Sequence, residues 1–195
     1  MIVRKSAAEI EGMARAGALV AETIAQVGEH IRPGITTGEL DKIAEEYVTA
    51  RGGLPTSKGY KGFPASLCTS PNAMVVHGIP GSYVVQEGDL LSVDLGVTLD
   101  GLVADSCVTF GVGRIDPDAQ RLLDVCRVAL DAGIEQARAG HHVGDISHAV
   151  QQVVEGAGFS VVRSLVGHGV GRSYHGSPRS RTSASPAAAG RCTRA

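Results

Sequence analysis

The sequence predicts an α/β (α+β) fold built as two related halves packed about one site. Two segments with the period of amphipathic helices precede β-rich runs, and the order helix, helix, strands occurs twice along the 195 residues. Asp100-Gly101 stands between the runs Leu90 to Leu99 and Leu102 to Phe110, the strongest short-range signal for a two-residue hairpin turn.

Each element has its own signature. Ser6-Ala7-Ala8-Glu9 is a capping box, and Ile10, Met13, Gly17, Val20, Ile24 and Val27 continue it at helical spacing. Pro33-Gly34 breaks the chain; Thr36 and Glu39 form a second capping box, followed by Leu40, Ile43, Ala44, Tyr47 and Val48. Gly52-Gly53 ends that helix. Pro55 to Pro71 reads as loop, and a short strand around Met74-Val75-Val76 leads to His77-Gly78-Ile79-Pro80 and then the hairpin. In the second half, Asp116-Pro117 supplies an N-cap and a proline at the first helical position, with Leu122, Leu123, Val125, Cys126 and Ala129 forming an apolar face. Gly140 breaks this helix. Gly144 or Asp145 starts another, carrying Ile146, Ala149, Val150, Val153 and Val154, and Gly156-Ala157-Gly158 closes it.

Composition narrows the function. A net charge of -2 and the lack of any Lys/Arg cluster in the first 160 residues argue against a nucleic-acid partner. Cys68, Cys107, Cys126 and Cys192 are widely spaced, so neither a zinc knuckle nor a disulfide framework is indicated and a reducing cytoplasm fits. Glu9, Glu11, Arg15 and Glu22 interrupt the N-terminal apolar residues, and no apolar run reaches the roughly 18 residues of a membrane span. A hydrophobic content of 43% is enough for one sizeable core.

The hairpin carries the chemistry. If Leu99 pairs with Leu102, Asp94 faces Cys107 and Asp105 faces Gly96, which makes the two aspartates diagonal neighbours on one face with Cβ atoms up to about 7 Å apart. Leu90-Leu91-Ser92-Val93 and Val103-Ala104 read as near-continuous apolar runs buried on both faces. Buried carboxylates need a partner, and neither strand offers Lys or Arg, so a divalent cation is the economical answer.

Of seven histidines, His30, His141, His142 and His148 lie in polar or helix-edge contexts and read as structural or solvated. His77, His168 and His175 sit beside glycine or an aromatic in segments poor in other charges. Together with the aspartate pair they favour a metal site of imidazole and carboxylate ligands, suited to Mn, Fe, Co or Zn. No G-x-S-x-G elbow is present, and Gly167-His168-Gly169-Val170-Gly171 lacks the spacing of a dinucleotide loop.

Gly59-Tyr60 to Cys68-Thr69-Ser70-Pro71-Asn72, then Val76-His77-Gly78-Ile79-Pro80, Val93-Asp94, Asp105 and Gly167-His168-Gly169-Val170-Gly171-Arg172 resemble the type I methionine aminopeptidases of bacteria. The resemblance runs from the N-terminus to about Pro178. It implies the pita-bread pseudo-twofold fold and removal of the initiator methionine from nascent proteins. It also implies two divalent metal ions: Asp94 would hold the first, Asp105 would bridge both, and His168 would hold the second. His77 and His175 would be catalytic, contacting substrate and the developing tetrahedral intermediate. Tyr60, Phe63, Cys68 and Tyr174 would line the methionine pocket. The partners implied are nascent polypeptide N-termini, at the ribosome, for a cytoplasmic monomer with no nucleic acid or membrane partner.

The resemblance has a gap. The family supplies two glutamate ligands after the segment matching His175, and no acidic residue follows Glu155 here. The composition turns at Arg179 to Arg, Ser, Thr, Pro and Ala without strand or helix pattern. Residues 1–178 are therefore expected to form an incomplete pita-bread metallopeptidase domain, its second half incomplete, and residues 179–195 an aberrant, disordered tail. Back-translating Arg179 to Ala184 as AGA-TCC-CGA-ACT-TCG-GC and restoring one nucleotide in front gives Gln-Ile-Pro-Asn-Phe-Gly, which resembles the family's continuation. A one-nucleotide deletion near codon 178 is the expectation, and with it an inactive chain. The rival readings are a pita-bread binding module without catalysis and an X-Pro peptidase of the same fold.

Overall fold

The computed structural model describes residues 3–181. The chain divides into two compact units: Lys5–Asp116 with Val170–Tyr174, and Met1–Arg4 with Pro117–Gly169 and His175–Ala195.

In the first unit, α1 (Ala7–His30) and α2 (Thr37–Thr49) both begin at the expected capping boxes. Ser6 Oγ accepts from the Glu9 amide and Glu9 returns a carboxylate to the Ser6 amide; Thr36 and Glu39 repeat the exchange. Donation from the Thr36 hydroxyl and amide holds the Glu39 carboxyl below the ordinary range, and donation from the Ser6 amide and hydroxyl does the same for Glu9. The buried stripe of α1 is Gly12, Ala16, Leu19, Val20, Thr23, Ile24 and Val27, and Ile10 is exposed. Gly12 turns inward because the helix lies so close to the sheet that a Cβ there would sit 2.5 Å from Leu102 Cδ1.

The sheet comprises β1 (Leu54–Pro55), β2 (Cys68–Pro71), β3 (Leu90–Leu99) and β4 (Leu102–Gly111), all antiparallel about β3. One edge of β3 pairs with β4 throughout; the other takes β2 along Leu91 to Asp94 and β1 at Val97 and Thr98. Asp100 and Gly101 adopt φ of 51° and 73°, the left-handed pair that a type I′ hairpin turn requires. Leu91, Val93, Leu95 and Val97 are fully buried and form one core with Leu19, Val20, Ile24, Val27, Leu40, Ala44 and Val48. Ser92, Asp94 and Thr98 on the opposite face are only half-buried, so the run expected to be buried on both faces alternates instead.

Two local expectations fail for one reason. Met74-Val75-Val76 forms no strand and lies exposed, while Cys68–Pro71, read as loop, is strand β2. Asn72 and His77 both take positive φ, so the chain turns after Pro71 and folds back until Gly78 O accepts from the Thr69 amide at 2.9 Å. Backbone pairing to β3 makes Cys-Thr-Ser-Pro a strand that its polar side chains do not announce.

In the second unit, α3 (Pro117–Gln136) starts at the expected proline and ends before Gly140. It packs on α4 (Val143–Gly156), which starts one or two residues earlier than expected, through Gly133, where a Cβ would lie 3.0 Å from Val150 Cγ2. β5 (Val166–Gly169) pairs antiparallel with β6 (Gly176–Arg181). That strand continues through Arg179 to Arg181, where no strand pattern was expected, because its backbone finds partners in Val166 and His168. The rest of the expected tail lies outside the described residues. No helix of the described residues is long and apolar enough to cross a membrane.

Candidate functional site

Hairpin register places the two carboxylates. Asp94 stands opposite Cys107 on β4 and Cys68 on β2, and Asp105 stands opposite Gly96, so Asp94, Asp105, Cys68 and Cys107 share the sheet face turned away from α1 and α2. Neither strand carries Lys, Arg or His. Asp105 Oδ1 is fully buried.

Tyr174 completes this face within the first unit. Gly171 O accepts from the Val103 amide at 2.7 Å and Arg172 Nε donates to Glu9 Oε1 at 2.9 Å, which brings the 170–174 segment alongside β4 and α1. The Tyr174 ring then lies against Gly96, where a Cβ would meet it at 2.8 Å. Its hydroxyl is 2.9 Å from Ser57 Oγ, and its ring meets that of Tyr60 edge-on at 5.2 Å. The role of Gly96 escaped the sequence reading, although a glycine inside a β-run signals close approach.

The acidity of the neighbours reports the charge on this face. Burial and then the Asp94 and Asp105 carboxylates push the Cys68 thiol up to about 12. The Tyr174 phenol is raised by burial, less an opposing hydrogen bond from Ser57, and by Asp105 and Asp94. The Cys107 thiol is raised by its packed surroundings and then by the same two carboxylates. Three groups whose ionisation would add negative charge thus ionise less readily beside the carboxylate pair.

Among the expected pocket residues, Cys68 is buried and Tyr60, Phe63 and Tyr174 are half-buried. His77 is exposed at φ 59°. Its neighbour Gly78 is pinned by its carbonyl to the Thr69 amide and by its amide to Ser70 Oγ at 3.1 Å, and a Cβ there would strike Thr69 O at 2.0 Å. His77 is therefore held in a sparsely populated conformation by β2.

In the second unit, His168 on β5 and His175 before β6 bring their rings to 4.2 Å between centroids. His168 Nδ1 is 3.3 Å from Gly169 O, a contact that helps fix the orientation of the ring. The structure thus gathers Cys68, Asp94, Asp105, Tyr60 and Tyr174 in one unit and His168 with His175 in the other. Among the described residues no group of three or more His, Cys, Asp or Glu converges closely enough to hold a metal by itself. The donor chemistry of the first unit fits a divalent cation: two carboxylates on one sheet face, buried in part, with no Lys, Arg or His on either strand.

The chain matches the profile described as metallopeptidase family M24 over residues 11–193. It is 49% identical over 178 residues to a methionine aminopeptidase of Clostridium perfringens, covering 91% of this chain and 72% of that protein. The crystal structure of a methionine aminopeptidase from Thermotoga maritima superposes with a TM-score of 0.97 at 37% identity, covering 100% of this chain and 78% of that one. A prolidase from Pyrococcus horikoshii, 20% identical, shares the fold alone, with a TM-score of 0.78 over 91% of this chain and 50% of its own.

Proposed function

The chain belongs to metallopeptidase family M24 and, within it, to the bacterial methionine aminopeptidases of pita-bread fold, and from that membership we propose how its residues divide the work of removing an initiator methionine. The reaction is hydrolysis of the peptide bond that follows an N-terminal methionine. The observation that carries the residue assignment is the Asp94 and Asp105 pair on one face of the hairpin.

Asp94 and Asp105 would hold divalent cations, with His168 as a further ligand; the complement would be two ions, drawn from Co, Mn, Fe or Zn. Divalent cations bound there supply Lewis acidity toward water and the scissile carbonyl. His77 and His175 hydrogen-bond the substrate and the oxyanion that develops at its carbonyl carbon. Tyr60, Phe63, Cys68 and Tyr174 surround the methionine side chain, and Cys68 presents a neutral thiol there, its ionisation opposed by burial and by Asp94 and Asp105. A Met-sized apolar pocket rejects a side chain shorter by one methylene by only about 1–3 kcal/mol. The protein works on nascent polypeptide N-termini, at the ribosome, as a cytoplasmic monomer.

The test is release of methionine from Met-Ala peptides with added Mn or Co. Acidic ligands after Glu155 are absent from this chain, so the form with the reading frame restored near codon 178 is assayed beside it. The restored form is expected to release methionine, and Asp105→Asn to reduce release to the metal blank. No release above the blank from either form would sink the reading. Faster cleavage of X-Pro peptides would instead favour the prolidase branch of the fold.

A further inference from the structure

The stretch from Ser57 to Leu67 carries Tyr60 and Phe63 yet contains only one short 3-10 turn, Tyr60–Gly62, so something other than secondary structure must hold it. Carboxylates on α2 grip both of its ends. Asp41 Oδ1 accepts from the Ser66 amide at 2.8 Å and the Leu67 amide at 3.0 Å, immediately before Cys68. One turn along the helix, Glu45 accepts from Ser66 Oγ at 3.1 Å and pairs with Lys58 at the other end.

We propose that Asp41 is a positioning residue for the methionine pocket: by accepting two consecutive backbone amides it sets where the 57–67 loop places Tyr60 and Phe63. The tether is stronger than the Lys58 pair because two amide donors converge on one partly buried carboxylate oxygen, whereas Lys58 and Glu45 are exposed to solvent screening. Burial raises the Asp41 carboxyl, with Glu45 adding to the rise and the Leu67 and Ser66 amides and Lys58 opposing it. Ser57 at the far end bonds Tyr174, so the loop is clasped between α2 and the 170–174 segment. Loss of the Asp41 tether should free the loop while leaving Asp94 and Asp105, on another strand pair, in place.

The consequence for substrate rests on the aminopeptidase reading; the tether itself does not, and the experiment separates them. Lys58 and Lys61 lie in the loop, so tryptic cleavage there in the folded chain reports its release. Asp41→Ala is expected to raise that cleavage about tenfold over cleavage at other Lys and Arg sites, and Asp41→Asn, which keeps the accepting oxygen, to restore the native rate. On Met-Ala peptides with Mn, Asp41→Ala in the frame-restored form is expected to raise KM about tenfold with kcat retained, and to narrow the preference for Met over Ala at the N-terminus. Should Asp41→Ala fail to fold by circular dichroism, hydrogen exchange of the unmodified chain decides: the Ser66 and Leu67 amides must exchange as slowly as those of β2. Native cleavage in Asp41→Ala, failure of Asp41→Asn to rescue, a loss in kcat alone, or free exchange of both amides would each overturn the proposal. Loop release as expected with no peptide hydrolysis by any form upholds the tether and removes the aminopeptidase reading.

Discussion

Tyr174 shows how much one side chain can report. Its phenol is raised by burial, and Asp105 and Asp94 add to the rise against the Ser57 hydrogen bond. Replacing Asp105 by Asn removes a negative charge that opposes ionisation, so the Tyr174 midpoint should fall in chelator-treated buffer while staying above the ordinary value of about 10 because burial persists. Site-resolved NMR of the ring during an alkaline titration reads this, and an unchanged midpoint would mean that the carboxylates do not face the phenol. The sign for stability follows. A raised pKa in the folded state leaves stability untouched below about pH 10 and erodes it as pH climbs from there through the folded value. The sequence marked Asp94, Asp105 and Tyr174 but gave no hint of Ser57 or Asp41, because each acts through a contact with a residue distant in the chain that no local pattern encodes.

Elements were legible where the signal was local. Both capping boxes, the Asp100-Gly101 turn and the full β3–β4 register follow from residues within a few positions of one another. What local patterns missed were β2, whose strand is imposed by pairing to β3, and the inward turn of Gly12, imposed by the closeness of α1 to Leu102. The caps allow a quantitative check. Thr36→Ala removes the acceptor for the Glu39 amide at 3.2 Å and frees the Glu39 carboxylate from the Thr36 hydroxyl at 2.6 Å, so the folded chain should lose about 1 kcal/mol in urea unfolding. Thr36→Ser keeps the hydroxyl and should lose much less; equal losses in both would assign the effect to packing of the Thr36 methyl instead.

At the scale of the whole chain the two units differ in what holds them. Every member of the buried core cluster lies between Leu19 and Val112, in the first unit, whereas among the described residues the second contributes only Ala129 and Val143 to the buried hydrophobic residues. Leu130 and Ile134 on α3 remain 61% and 60% exposed, and β5 and β6 pair only with each other among the described strands. The repeated helix, helix, strand order read from the sequence therefore describes topology better than energetics, since apolar periodicity shows which face a helix could bury but not how deeply it is covered. Burial contributes roughly 25 cal/mol per Å² of apolar surface, and the second unit collects little of it. Its amides should open at lower free energy. Native-state hydrogen exchange is expected to show α3, α4, β5 and β6 exchanging through sub-global openings while the central amides of α1 and β3 exchange only with global unfolding. Equal protection of α3 and α1 would overturn this ranking of the two units.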